Sequence, residues 1–209
     1  MTFDHLVLAG PDLDELRAWL HGATGVGAVG GGRHLGHGTH NALSGLGPSA
    51  YLELVAPDPS QAGGPFAERI AQRRAPAVHT WCVRAGDAAQ VAALARAAGL
   101  SPQRFQMERR RDDDTLLRWE VVFLDGHDYG TLLPFCIDWG ATPHPATTLP
   151  AALQLDELEL THPDAEGLQA LLERLGGAPS VVRCVAGAQP ALRATLRHAS
   201  GRWRPSGLG

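Results

Sequence analysis

Cysteine is scarce. The 209 residues hold three, Cys82, Cys136 and Cys184, far apart and in no CxxC pair. That argues against a disulfide framework and against a thiolate zinc site. A basic excess is missing too: 18 Lys and Arg against 22 Asp and Glu leave a net charge of -4, the wrong balance for a nucleic-acid binder. No apolar stretch approaches the ~20 residues needed to cross a bilayer. The opening MTFDHLVLAG has no basic region before its apolar run, and Pro11 cuts that run, so no signal peptide is expected. A P-loop and a GxSxG elbow are absent. Together these absences lead to the expectation of a cytoplasmic protein in a reducing compartment, with no nucleic-acid or membrane partner. What is present suffices for a core: 44% hydrophobic and 19% charged residues, in a length that fits one large domain or two small ones.

A strand–turn–helix unit recurs. Phe3 to Ala9 is short, apolar and stopped by Gly10-Pro11, which reads as a strand. Asp12 can cap a following helix, with Glu15 three residues on and Leu13, Leu16, Trp19 and Leu20 at helical spacing up to Gly22. The plan returns from Val78 to Ala85 with Asp87 and Gln90, and again from Leu155 to Thr161 with Pro163-Asp164 and Gly176. Aligned on their turns, the copies put His5, Thr80 and Glu157 in equivalent places. Spacing this regular is evidence of an internal repeat.

Further strands are expected at Thr39 to Leu46, Tyr51 to Ala56, Arg104 to Arg109, Leu116 to Leu124, Thr131 to Trp139, Val181 to Ala186 and Ala191 to His198. The charged run from Arg109 to Asp114 reads as a solvated hairpin tip. Prolines 143, 145 and 150 mark a linker over 141–152. The fold expected is α+β: two βαβββ modules, about 3–60 and 78–140, in a domain spanning 1–140. A third βαββ unit follows over 153–209. Its helix carries Leu168, Leu171, Leu172 and Leu175 on one face, which must be covered by the main domain or by a partner subunit.

The stretch GGRHLGHGTHNALSGLG, from Gly31 to Gly47, sets His34, His37 and His40 three residues apart. Its glycines disfavour a helix, and without a helix that spacing does not gather the rings on one side. A loop leading into a strand at Thr39 is the better reading, with Arg33, His34, Thr39 and Asn41 as candidates for polar substrate contact. Trp119, on an alternating strand, is a candidate cavity wall or a core residue.

FDHLVLAGPDL, the glycine-rich stretch followed by YLELVAPDP, and PFCIDWG together resemble the glyoxalase-like proteins of the vicinal oxygen chelate superfamily. Glyoxalases, extradiol dioxygenases, fosfomycin-resistance enzymes and bleomycin-binding proteins share its fold but not its reactions. The resemblance implies paired βαβββ modules curled around a shared pocket, with metal ligands on the first and last strand of each module. His5 matches the first-strand ligand and Glu53 the last-strand ligand of module one. Strand alternation puts Phe3, His5 and Val7 on one face, and Tyr51, Glu53 and Val55 on one face. In module two the first place falls on Thr80, with His79 one residue off, on the inner face only if the strand is bulged; the last place falls near Leu133 or Pro134. A triad of His5, Glu53 and His79 would suit a divalent metal such as Zn, Mn, Fe or Ni; the alternative is a metal-free His5–Glu53 pair lining the pocket. The function expected is small-molecule binding in a cleft between modules. Metal-dependent lyase, isomerase or dioxygenase chemistry with Glu53 as ligand or general base is one form of it, and metal-free binding or sequestration the other. Monomer and homodimer are both open.

Overall fold

Aspartates start three of the helices, each accepting hydrogen bonds from the first turn. Asp12 caps α1 (Leu13–Thr24), Asp87 caps α3 (Ala88–Ala97) and Asp164 caps α4 (Ala165–Arg174). In α1 the apolar spacing continues past Gly22, and the helix ends at Gly25, whose φ of 73° suits a left-handed cap. These are the strand–turn–helix units of the repeat, here in a computed structural model that describes residues 1–110 and 114–207.

The first module runs β1 (Thr2–Ala9), α1, β2 (Val29–His34), β3 (Thr39–Gly45) and β4 (Tyr51–Pro57). The short α2 (Pro65–Ala71) links it to β5 (Ala77–Arg84), α3, β6 (Ser101–Arg110), β7 (Leu116–Asp125) and β8 (Phe135–Asp138). The eight strands close a barrel in the order β1-β4-β3-β2-β6-β7-β8-β5. Within each module the first and last strands pair in parallel; β1 with β5 and β2 with β6 join the modules antiparallel. The two modules are therefore the paired βαβββ units expected, and their cavity lies within a single chain.

The third unit is β9 (Gln154–His162), α4, β10 (Val182–Ala186) and β11 (Ala191–His198), with a short strand β12 (Gly201–Trp203) added beyond the βαββ unit expected. Its order, β10-β9-β11-β12, differs from that of the modules, because β10 rather than the last strand lies parallel to β9. The resemblance of the third copy to the others ends with its strand–turn–helix. Leu158, Leu160, Leu168, Leu172, Leu192 and Leu196 are buried in one continuous core with Leu6, Leu8 and Trp81 of the barrel's outer face and Leu16 of α1. The apolar face of α4 is thus covered within the chain. The segment expected to be a linker holds a 3-10 turn, Pro145–Thr147, capped by His144.

Three register shifts ring the barrel interior. Phe3 and His5 pair with consecutive residues of β5, leaving Asp4 as the extra residue; Val7 and Leu8 face Thr80 and Val78, leaving His79 extra. The Asp4 bulge corrects the expected alternation: Phe3 joins the outer core, stacked 6.4 Å from Trp81, while His5 and Val7 line the interior. Gly31 is the third extra residue, between pairs Gly30–Ala42 and Gly32–Asn41. Here the start of the glycine-rich stretch, Gly31 to His34, belongs to strand β2, and a turn over 35–38 leads into the strand expected at Thr39. Gly31 has no alternative, since a Cβ would strike the side-chain oxygen of Asn41, and Gly32, at φ 133°, lies hard against the Arg110 carbonyl. In the charged run, Arg109 and Arg110 end β6, which pairs with β7; residues 111–113 lie outside the described residues.

A chain ending at residue 150 would uncover the outer faces of β1 and β5. It is expected to unfold at a lower temperature than the full chain, or to aggregate, in a thermal melt; an unchanged midpoint would refute the shared core. Gly31→Ala should displace Asn41 or β2 and cost about 1–3 kcal/mol in urea denaturation. A loss within a few tenths would show that the strand yields without strain.

Candidate functional site

The barrel encloses a cavity of about 330 Å³ lined by both modules. One wall is polar, built from His5 on β1, His34 on β2, Asn41 on β3 and Glu53 on β4. The facing wall is apolar, with Trp119 and Val121 on β7 and Phe135 and Ile137 on β8. Phe105 and Phe123 also line it and are 46% and 42% exposed, so the opening is aromatic.

Glu53 is the centre of the polar wall. Its Oε1 accepts a hydrogen bond from Asn41 Nδ2 at 2.6 Å and lies 3.7 Å from His34 Nε2. Oε2 lies 3.6 Å from His5 Nε2. Burial opposes its ionisation, but the imidazoles of His5 and His34, the Asn41 bond and Arg109 outweigh it and hold the carboxyl below its usual value. Asn41 Nδ2 also reaches His34 Nε2 at 3.2 Å, so that nitrogen accepts and His34 Nδ1 donates to Thr39 Oγ1 at 2.9 Å. Burial pushes the His34 ring down to about 4, which leaves it neutral at pH 7. Arg109 lies at hydrogen-bonding distance from Asn41 Oδ1, 3.5 Å, with its guanidinium 6.0 Å from the Trp119 ring centre.

Behind His5 stands Asp4, fully buried. Its Oδ1 meets His5 Nδ1 at 2.7 Å, and its Oδ2 accepts from Arg84 Nε, Trp139 Nε1 and His144 Nε2 at 2.9, 3.1 and 3.0 Å. Burial would raise this carboxyl, yet the bonds from His144, His5 and Arg84 drive it well below the carboxylate range. With Nδ1 committed to Asp4, His5 turns Nε2 toward Glu53. The 3.6 Å between His5 Nε2 and Glu53 Oε2 is longer than a hydrogen bond and leaves both atoms open to a ligand.

The bulge at His79 brings both His79 and Thr80 to the cavity wall. His79 stacks on Phe66 at 5.3 Å and accepts a hydrogen bond from Arg73 at Nδ1, 3.0 Å. Burial and the cations Arg73 and Arg69 push its ring down to about 4. It does not converge with His5 and Glu53. Among the described residues the trio of His, Cys, Asp or Glu with ligand atoms within 4.8 Å of one another is Asp4, His5 and Cys82. In that trio Asp4 is saturated by donors, and burial keeps the Cys82 thiol protonated. The last-strand place of module two also moves. Val7 pairs with Glu53 and Cys82 with Phe135, and Val7 and Cys82 each lie two residues beyond His5 and Thr80. Phe135, not Leu133 or Pro134, is therefore the counterpart of Glu53, because β8 starts later than expected after a 3-10 turn, Gly130–Leu132. Threonine and phenylalanine thus stand where the superfamily's second pair of ligands would be, and the residues present do not fit a four-ligand metal set.

Among the substrate-contact candidates, His34, Thr39, Asn41 and Trp119 line the cavity and Arg33 does not. The Arg33 side chain is 62% exposed and pairs with Asp58 at 3.4 Å, since alternation on β2 turns it away from His34. Arg109, Asp4, His144 and Phe135 were missed. Arg109 was hidden in a run of charges, though it alternates with Met107, which also lines the cavity. Nothing local marks Asp4 or His144.

Residues 3–176 match the family model described as glyoxalase-like domain. A hypothetical protein from Staphylococcus aureus superposes with a TM-score of 0.67 at 14% identity, over 97% of this chain and 84% of its own. A methylmalonyl-CoA epimerase variant from Streptomyces coelicolor, in complex with 2-nitronate-propionyl-CoA, gives 0.51 at 19% identity, over 68% of this chain and 99% of its own. A mutant 4-hydroxymandelate synthase from the same organism gives 0.53 at 15%, over 97% of this chain and 61% of its own. No curated protein sequence matches the chain. No helix among the described residues is long and apolar enough to cross a membrane. With its family model spanning both modules and the start of the third unit, the chain belongs to the glyoxalase-like domain family.

Proposed function

We propose that this protein binds a small organic molecule with an aromatic or apolar body and a proton-donating group, without the four-ligand metal centre of its superfamily. The observation that carries this reading is the pair of polar atoms, Glu53 Oε2 and His5 Nε2, 3.6 Å apart at the end of an aromatic cavity. A hydroxyl or amine hydrogen entering there meets an ionised carboxylate with the His5 imidazole beside it, while the body packs against Trp119 and Phe135. His34, Thr39 and Asn41 act from behind, holding the Glu53 carboxylate in place. Glu53 is the group that would take up a proton if binding leads to reaction. The three free thiols fit a reducing compartment such as the cytoplasm.

Two cavity tryptophans, Trp119 and Trp139, provide the readout. Titration with 2-naphthol should quench them, and its methyl ether, which lacks the donor, should bind about tenfold more weakly or worse. Glu53→Gln should erase that difference while leaving the ether unaffected. Equal binding of both compounds by the unaltered protein would overturn the donor assignment. Stoichiometric divalent metal in protein purified without an affinity tag, lost in Glu53→Gln, would overturn the metal-free reading.

The neutral histidines set a pH dependence. His34 folds with a value near 4 against 6.5 unfolded, so between those limits the unfolded chain binds more protons and stability falls as pH drops. The loss is on the order of 3 kcal/mol at pH 4 for this ring. Urea midpoints measured from pH 7 to pH 4.5 should decline less steeply in His34→Gln than in the parent. Parallel slopes would show that His34 is charged in the fold.

A further inference from the structure

His79 has two neighbours that fix its chemistry. One is Arg73, whose terminal nitrogen lies 3.0 Å from Nδ1. A guanidinium has only donors, so Nδ1 must accept. In a neutral ring the proton then sits on Nε2. Arg73 is committed to this task, since no carboxylate lies within 4 Å of it among the described residues. The other neighbour is Phe66, whose stacked ring, 5.3 Å away, sets the plane of the imidazole.

The position of His79 gives that proton a purpose. A second cavity of about 150 Å³ adjoins the first, and His79, Thr80, Phe123 and Phe135 line both. Nε2 has no hydrogen-bond partner among the described residues. The Thr80 hydroxyl, by contrast, is turned to the Thr131 carbonyl at 3.4 Å. Across β1 lies Glu53, which pairs with Val7 from one side as Thr80 pairs with it from the other. Two strand spacings, about 10 Å, separate the two walls at the backbone. One wall offers acceptors, the other a donor, at a span that suits a molecule of two fused rings.

We infer that Arg73 holds His79 in the Nε2–H tautomer and that this N–H is a recognition donor for a ligand oxygen, a carbonyl or carboxylate, where the two cavities join. The inference rests on the binding reading above and extends it: the ligand carries an oxygen acceptor as well as a proton-donating group. It also accounts for why His79 fails as a metal ligand, because a protonated Nε2 has no lone pair to offer and Nδ1 is taken. Arg73 is a positioning residue and touches no ligand itself.

Two measurements decide the matter. Nitrogen-15 spectra of the histidine rings at pH 7, assigned by the signals lost in His79→Gln, should show Nε2 protonated and Nδ1 bare. The reverse tautomer would overturn the inference whatever the ligand. Calorimetric titration then compares 2-acetylnaphthalene with 2-isopropenylnaphthalene, which replaces the carbonyl oxygen by a methylene of similar shape. The ketone should bind about three- to tenfold more tightly, the worth of one net hydrogen bond. His79→Phe should abolish the preference while both compounds still bind, and His79→Gln should restore part of it through its amide N–H. Arg73→Leu should weaken the preference and allow the other tautomer in the spectra, with Arg73→Lys recovering both. Equal binding of the two compounds by the unaltered protein would overturn the role of His79 and leave the cavity reading standing. Binding of neither would instead count against the cavity reading and, with it, the ligand oxygen assigned here.

Discussion

An ionised carboxylate inside a barrel of aromatic rings needs polar neighbours, and in this chain that requirement spreads outward from Glu53 through residue after residue. Asn41 donates to Oε1, and it can stand there only because Gly31 has no side chain to displace it. His34 is held by Thr39 and Asn41. His5 faces Oε2 with its far nitrogen tied to Asp4, and Asp4 in turn takes donors from Arg84, Trp139 and His144. Removing a member leaves a buried polar group unmatched, which typically costs about 1–3 kcal/mol. A network of this kind specifies geometry more than it adds stability.

The two modules share their topology but not their chemistry. At corresponding places module one carries His5 and Glu53, while module two carries Thr80 and Phe135. Phe135 packs edge-on to His5 at 5.4 Å and stacks with Phe123 at 5.4 Å. What would be the second half of a metal site is an aromatic wall. A symmetric fold has become a cavity with a polar side and an apolar side, the asymmetry on which the proposed binding rests.

Much of the fold was legible because it rests on local rules. Asp12, Asp87 and Asp164 announce three helices by capping, and alternation in Tyr51–Leu52–Glu53–Leu54 marks Glu53 as inward. The site was less legible because three bulges build it. A bulge shifts the face of every residue on one side of it, and no local pattern at Asp4, Gly31 or His79 announces one. The glycine-rich strand β2 defeats propensity outright, since its glycines answer to the close approach of Asn41 and Arg110 rather than to their own preferences. Long-range partners such as His144 and Asp4, 140 residues apart, leave no trace at either position. Arg33 shows the opposite failure, a cation chosen for its neighbours in sequence that the pleat turns to Asp58 and solvent.

The C-terminal unit bears on the site through the strand it covers. β1 presents His5 and Val7 to the cavity and Leu6 and Leu8 to a core shared with β9, β11 and α4. A strand buried on both faces cannot shift without disturbing two packed layers, so the bulge that admits Asp4 is clamped from behind. The segment leading to that unit adds a second constraint, since His144 caps a 3-10 turn and also donates to Asp4. Docking the third unit and orienting His5 are therefore linked through one segment. That linkage ties the further sheet to the site: a barrel complete in its eight strands carries, packed behind it, a sheet that covers the strand bearing His5.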